Sequence, residues 1–240
     1  MEEMYLEINC DLGEGLDNDA LLMPLIHSCN IACGGHAGDE RSMKNTVSLA
    51  KKFKVKAGAH PSYPDRENFG RNVMDISMSA LKNSLKQQIT SFLQISKAED
   101  YPMHHIKPHG ALYNELAKNP ELAEMLVDLL NNYFPGTFLF CPPQSEIEKI
   151  AKKYGVPLML EVFADRNYHP DFSLVPRSHP QALITDPNLV LAHVENLVIN
   201  KRIRTLEGLE IPIQADTLCI HGDNPNALEI LKSLRKNLTF

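Results

Sequence analysis

Tyr5-Leu6-Glu7-Ile8-Asn9-Cys10-Asp11-Leu12-Gly13-Glu14-Gly15 reads as a short strand, Tyr5–Cys10, that runs directly into a polar turn marked by two glycines. The same punctuation recurs along the chain. Polar residues cluster in Asn30-Ile31-Ala32-Cys33-Gly34-Gly35-His36, Gly58-Ala59-His60-Pro61, Lys107-Pro108-His109-Gly110, Asp165-Arg166 and His221-Gly222-Asp223. Each cluster stands where a short apolar run ends and a loop or helix begins. Together they read as one site assembled from the ends of many strands.

Working outward, further strands are expected at Ser28–Cys33, Lys56–His60, His105–Lys107, Thr137–Phe140, Leu158–Phe163 and Thr217–His221. Helical periodicity predicts helices over Asp17–His27, Asp39–Phe53, Ser77–Ala98, Ala111–Lys118, Glu121–Tyr133, Ser145–Tyr154, Leu189–Asn200 and Asn226–Lys236. Val47, Leu49, Ala50 and Phe53 form the apolar stripe of the second. Two long irregular stretches, Pro61–Met74 and Asp165–Asp186, interrupt the pattern, and loops of that length inside a domain are often functional. Arg202–Thr205 and Glu210–Ile213 suggest a small hairpin. Sustained strand–helix alternation predicts a mostly parallel sheet with right-handed crossovers. About seven such units leave an open doubly wound sheet or a closed, distorted (β/α) barrel. The barrel is favoured because polar clusters follow nearly every strand, not one switch point. No linker or repeat divides the chain, so a single domain over residues 1–240 is expected.

The 240 residues, 43% of them hydrophobic and 22% charged, have an ordinary globular composition and enough length to bury a large core. With a net charge of −6 and no basic, aromatic-laced segment, nucleic-acid binding is not expected. The five cysteines form no CxxC pair, which argues for reduced, buried thiols. Residues 1–25 carry no signal-like pattern and no window is long and apolar enough for a membrane span, so a cytoplasmic protein is expected.

The carboxylates Asp11, Glu14, Asp39, Asp165 and Asp223 fall at strand ends. Two carboxylates about 4 Å apart repel by roughly 4 kcal/mol at an effective dielectric of 20, so such a face must import positive charge or stay partly protonated. Lys107, Arg71, Arg166, Arg177 or a divalent metal can supply the charge. Asp39 has a second reading as a helix N-cap. Four of the ten histidines, His36, His60, His109 and His221, end strands, which points to a shared task; the other six read as structural. Asp11, His36 and His60 are one possible metal set, although no HxxxH or HExxH spacing supports it. Proline after His60 and Lys107 stiffens the strand exits and orients both side chains. Lys107 is expected either in the pocket or in a salt bridge closing the barrel interior. Neither a GxxxxGK[ST] phosphate loop nor a GxSxG nucleophile elbow is present.

The clusters, in this order, resemble the LamB/YcsF family of lactam-utilisation proteins, known as the first component of the three-part enzyme 5-oxoprolinase. The matching segments are Asn9–Gly15, Asn30–Asp39, Gly58–Asp65 with Phe69–Arg71, Lys107–Asn114, Ala164–Arg166, Leu174–Ser178 and Ala215–Asp223. The chain departs from the family pattern at Gly35, where relatives often carry an aromatic residue, and in His169–Ser173, which lacks a glycine. The resemblance implies a distorted (β/α) barrel similar to those of glycoside hydrolases and deacetylases. It implies opening of 5-oxo-L-proline to L-glutamate, with ATP as co-substrate and 5-oxoprolinase subunits B and C as partners able to hold the ATP. On that reading Asp11 or His60 is the general base, and Lys107 and His109 stabilise developing charge. Arg71, Arg166 or Arg177 binds the substrate carboxylate or phosphate, and Asn9, Glu14, His36, Asp165, His221 and Asp223 complete the pocket. Two alternatives stay open: a metal-dependent amidohydrolase or carbohydrate deacetylase working without ATP, and a non-catalytic lactam-binding subunit.

Overall fold

Along the strands, polar and apolar residues alternate, and the alternation runs opposite to that of an ordinary half-exposed sheet. In Ile8-Asn9-Cys10-Asp11-Leu12 the apolar members Ile8, Cys10 and Leu12 belong to the hydrophobic core, while Asn9 and Asp11 are buried among other polar groups. Residues two apart share one face of a strand, so one face is polar and the other apolar. A closed barrel resolves the conflict: polar residues point into the lumen and apolar ones meet the surrounding helices.

The computed structural model describes residues 6–238, and Tyr5, the expected start of the first strand, lies outside them. Seven parallel strands close the barrel: β1 (Glu7–Leu12), β2 (Ser28–Ala32), β3 (Lys56–His60), β4 (Met103–Ile106), β5 (Phe138–Cys141), β6 (Leu158–Phe163) and, after a hairpin, β9 (Thr217–His221). β9 pairs with both β1 and β6, which leaves no open edge in the ring. The hairpin, β7 (Arg202–Arg204) with β8 (Glu210–Pro212), is antiparallel and separate from the barrel. The helices are α1 (Asp19–Leu22), α2 (Glu40–Phe53), α3 (Met78–Ala98), α4 (Gly110–Leu116), α5 (Pro120–Tyr133), α6 (Glu146–Lys153), α7 (Pro187–Asn200) and α8 (Ala227–Asn237). Among the described residues, no helix is long and apolar enough to cross a membrane.

Three expectations need adjustment. The helix expected over Asp17–His27 is a single α turn followed by a 3-10 turn, Met23–Leu25. Pro24 has no N–H to continue the α ladder. The stripe of α2 uses Met43, Thr46, Val47 and Ala50, while Phe53, at the last turn, is exposed. Lys107 lies just beyond β4, yet its backbone N–H still donates to Ala59 O at 2.9 Å, which fixes its height in the barrel.

Cα register sets one layer of the lumen. Asp11 pairs with Asn30, Asn30 with Gly58, and Gly58 with His105 across four successive strands. His105 Nε2 then bonds Asn30 Oδ1 at 2.7 Å, and its ring stacks on Phe140 with centroids 4.0 Å apart. Gly58 is the place where that ring fits, because a Cβ there would lie 2.3 Å from the imidazole. We therefore expect Gly58→Ala to destabilise the fold by about 1–3 kcal/mol, the usual penalty of overpacking. Denaturant unfolding measures it, and an unchanged midpoint would show that His105 moves aside without cost.

Candidate functional site

Among the described residues, the barrel lumen holds one buried ammonium. Lys107 Nζ lies 2.9 Å from Asp11 Oδ1, 3.1 Å from Glu161 Oε1, 3.0 Å from Cys219 Sγ and 3.5 Å from Asn9 Oδ1. Its side chain is only 2% exposed. Burial favours a neutral amine, but the neighbouring Asp11 and Glu161, with the hydrogen bond to Cys219 Sγ, outweigh it and hold the Lys107 pKa well above its ordinary value. Burial likewise opposes the charge on Asp11, while His60 and Lys107 hold its carboxyl well below the usual range. Asp11 is thus a carboxylate and Lys107 an ammonium. Glu161 is close enough for charge attraction but off the hydrogen-bond direction, since neither of its oxygens has an aligned partner. Neutral groups complete the ladder: Asn30 donates to Asn9 Oδ1 at 2.8 Å and to Asp11 Oδ1 at 2.7 Å, and Asn9 donates to Thr217 Oγ1 at 2.8 Å.

Above this ladder, at the C-terminal ends of the strands, Glu14, His36, His60 and His109 converge. One ligand atom from each lies within 4.8 Å of all the others. His36 Nε2 is 3.0 Å from Glu14 Oε1, and His60 Nε2 is 2.9 Å from His109 Nδ1. His36 and His109 stack with centroids 3.6 Å apart, and His60 meets both edge-on. Burial, and next His60, push the His36 pKa down to about 2; burial with His36 and His60 also holds His109 well below its ordinary value. Glu14 is pushed up to about 7 by burial and by the negative charge of Asp11.

Backbone geometry builds this cluster. His36 sits in the Gly34–Asp39 loop, which ends in a capping box: Asp39 accepts from Ser42 N and its own N–H donates to Ser42 Oγ. Asp39 is therefore the N-cap of α2 and not a site carboxylate. His109 is the N-cap residue of α4, and Gly110 follows at φ +56°. A Cβ on Gly110 would lie 2.6 Å from Gly70 O, the same oxygen that accepts from Ala111 N at 3.0 Å. This close approach lays the Phe69-Gly70-Arg71 loop over the imidazoles, with the Phe69 ring edge-on to His36 and His109. Gly35 presses on Ser62 and Gln88, and a Cβ there would lie 2.3 Å from Ser62 Oγ, so this chain has no room for an aromatic residue at that point.

At the rim, Asp223 pairs with Arg71 and with Arg177, the latter at 3.2 Å and 3.4 Å. Arg177, His221 and Arg71 together overcome burial and lower the Asp223 pKa. Arg71 follows β3 and Asp223 follows β9, strands separated by β1 and β2 in the ring. Their contact therefore crosses the mouth of the barrel.

Asp11, Glu14, His36, His60, Lys107 and His109 thus come together as neighbours, with Arg71, Arg177, His221 and Asp223 around them. Three expected pocket residues are placed elsewhere. Asn9 is fully buried beneath Asp11 in the lumen. Arg166 donates to Val175 O at 2.6 Å and to Ala182 O at 3.2 Å, so it ties the loop after β6, near enough to the rim to sense the charges of Arg177 and Asp223. Asp165, also fully buried, accepts from His221 Nδ1 at 2.8 Å and Asn224 Nδ2 at 3.0 Å, and so orients His221. The metal set expected as Asp11, His36 and His60 is altered as well. Asp11 Oδ1 is committed to Lys107 and Asn30, and Glu14 and His109 stand with the two histidines instead. Glu161 and Cys219 escape the sequence reading; the signal for Glu161 is a lone charge within the apolar strand Leu158–Phe163.

Removing one member of a buried ion pair strands the other, at a cost of about 3–5 kcal/mol. Lys107→Met should lose that much stability, and adding Asp11→Asn and Glu161→Gln should recover part of it. Unfolding free energies of the single and triple variants test this; equal losses would refute charge compensation as the cause.

The chain matches the LamB/YcsF family over residues 6–240 and belongs to it. The crystal structure of the lactam utilization protein from Thermus thermophilus is similar at 35% identity, covers 97% of each chain and superposes with a TM-score of 0.89. A putative cellobiose-phosphate cleavage protein from Enterococcus faecalis shares the fold at 13% identity, with 96% of this chain and 94% of that chain covered and a TM-score of 0.56.

Proposed function

For this member of the LamB/YcsF family we propose the hydrolytic opening of a lactam, 5-oxo-L-proline, to L-glutamate, driven by ATP in a complex with two partner subunits. The observation that carries the reading is the pairing of Asp11 with Lys107. It keeps a carboxylate ionised in a buried site, with its Oδ2 3.4 Å from His60 Nε2 at the mouth of the barrel. A five-membered lactam is an unreactive amide, so its hydrolysis needs a positioned base for water and positive charge for the tetrahedral oxyanion. Asp11 is the base in this reading. His60, its neighbour, takes up or relays the proton, and His109 lies behind it.

Lys107 acts through Asp11. Its four short contacts all go to lumen groups, so it is a positioning residue and not an oxyanion donor. Arg71 and Arg177 are the cations at the rim, and guanidinium groups suit a carboxylate or phosphate. With Asp223 as their partner in the free protein, an arriving anion would exchange one carboxylate for another. The matched family and the lactam utilization protein of Thermus thermophilus favour this substrate class. The sequence contains no phosphate loop, which favours a division of labour in which the partners phosphorylate the lactam and this barrel completes ring opening.

A second reading, hydrolysis of an amide or acetamide without ATP, draws on the Glu14–histidine cluster. Glutamate release from 5-oxoproline, assayed with and without ATP and subunits B and C, separates the two. Activity should require ATP and both partners. Asp11→Asn should lower it by at least about a hundredfold, the scale of a lost general base. Near-normal turnover in the reconstituted complex of Asp11→Asn would overturn the assignment, and turnover without ATP would select the second reading.

A further inference from the structure

Hydrogen-bond accounting at His60 and His109 leaves a gap that no protein donor fills. His60 Nδ1 lies 2.7 Å from Lys107 O, and His109 Nε2 lies 3.0 Å from Phe69 O. A carbonyl oxygen only accepts, so both of these ring nitrogens carry their protons. In neutral imidazoles the remaining nitrogens, His60 Nε2 and His109 Nδ1, then both present lone pairs. They face each other at 2.9 Å. Two lone pairs at that separation repel unless a positive charge lies with them. Glu14 Oε1 stands 3.6 Å from His109 Nδ1 and 4.0 Å from His60 Nε2, and His36 Nε2 approaches the same oxygen at 3.0 Å. The other nitrogen of His36, Nδ1, is buried without a partner.

From this convergence we propose that Glu14, His36, His60 and His109 bind a first-row divalent cation of the zinc class. Three imidazoles and one carboxylate form a donor set suited to such ions. Four ligands at about 2.0–2.1 Å in a tetrahedron stand roughly 3.3 Å apart. Four of the six donor separations, 2.9, 3.0, 3.6 and 4.0 Å, bracket that value, and all six lie within 4.8 Å. The two carbonyl acceptors support two of the three imidazoles as a built site requires: His60 and His109 each give the other N–H to a fixed partner, which sets the tautomer and aims the lone pair, whereas His36 Nδ1 has none. The Phe69 carbonyl comes from the loop closed by Gly70 and Gly110, and the Lys107 carbonyl from the end of β4, so the supports belong to the barrel frame.

With the ion bound, His60 Nε2 is a ligand and no longer a proton relay; the ion would then supply positive charge and Lewis acidity beside Asp11. That use in ring opening rests on the proposed lactam chemistry, whereas binding of the ion does not. The competing occupant is a proton on His60 donated to His109.

The test uses the full chain, stripped with chelator and without substrate. Titration with zinc chloride should show one site by calorimetry and raise the melting temperature. Cobalt chloride should give the visible d–d absorption of a nitrogen- and oxygen-ligated ion. Glu14→Gln and His60→Gln should each weaken binding more than about tenfold, at least the loss seen when only a supporting partner of a ligand is removed. His169→Gln, whose imidazole pairs with Glu207 away from the cluster, should leave affinity unchanged. Should the cluster variants fail to fold, the wild-type calorimetry and cobalt spectrum decide alone. The absence of stoichiometric binding in the stripped wild-type chain, or binding that folded Glu14→Gln and His60→Gln retain at full affinity, overturns the proposal. Since no step of this test uses lactam, ATP or partners, a failed lactam assay and a failed metal titration are separate results.

Discussion

One ammonium inside a closed barrel constrains the rest of the molecule. Lys107 is attracted to Asp11 by roughly 6 kcal/mol at their 2.9 Å separation, taking an effective dielectric of 20. Withdrawing each ion from water costs several kcal/mol. The cluster is therefore close to break-even as a stabiliser, and its consequence is geometric. Lys107, Asp11 and Glu161 must keep their places, because any one displaced leaves buried charge uncompensated. That demand explains why the lumen is lined with neutral hydrogen-bonding groups, Asn9, Asn30, Thr217 and His105, instead of the branched aliphatic layers that commonly fill such barrels. Asn30 adds a second donor to Asp11 Oδ1, while both oxygens of Glu161 lack an aligned donor.

From this ladder the site is built upward by backbone, not by side chains alone. Lys107 contributes twice: its ammonium fixes Asp11, and its carbonyl fixes the ring of His60. The Pro61 carbonyl accepts from His109 N at 2.9 Å, so the chain after β3 sets the height of the next strand's histidine. The loop after β3 then covers both rings through Phe69 and Gly70. Strand ends, their prolines and the glycine contact between Gly70 and Gly110 thus form one continuous frame. A shift in any strand register would move charge, tautomer and lid together.

Much of this frame is legible in the sequence. Alternating pairs such as Asn9-Cys10-Asp11 and Thr217-Leu218-Cys219, ending in loops that carry histidine or aspartate, point to parallel strands with a common catalytic end. The seven-strand closure and the limits of β3, β6 and β9 agree with the pattern. Depth and direction are not legible. Asn9 and Asp11 share one face, yet Asn9 is at the bottom of the ladder and Asp11 near its top. Arg166 follows Asp165 directly, but its long stem lets the guanidinium turn back onto the carbonyls of Val175 and Ala182. Glu161 looks like a lone charge in an apolar strand because its partner is 54 residues away, two crossovers earlier, and the curvature of the barrel brings the two side chains together across β5. Sequence periodicity reports which face a residue occupies; partners across a lumen depend on closure.

The charges divide the barrel into two layers with different duties. In the lower layer, two acidic side chains share one ammonium. Cys219 is held as a thiol, chiefly by burial, so it adds no further charge. The Asp11 carboxylate is the negative charge of that layer nearest the mouth. In the upper layer, burial holds His36 and His109 neutral and favours a protonated Glu14. Neutral imidazoles above the Asp11 carboxylate create a place where positive charge is favoured and is not supplied by any lysine or arginine among the described residues. Lys107 is below it, and Arg71 and Arg177 are engaged at the rim with Asp223. Positive charge that develops or arrives between these layers, whether on a proton or on an ion, gains from the field of Asp11 without losing an existing partner. An incoming anion meets the opposite situation: it must compete with Asp223 for the arginines and is repelled by the carboxylates below. The same chain thus separates cation affinity at its centre from anion affinity at its rim, and the proposed lactam, an anion with a neutral reacting amide, suits that separation.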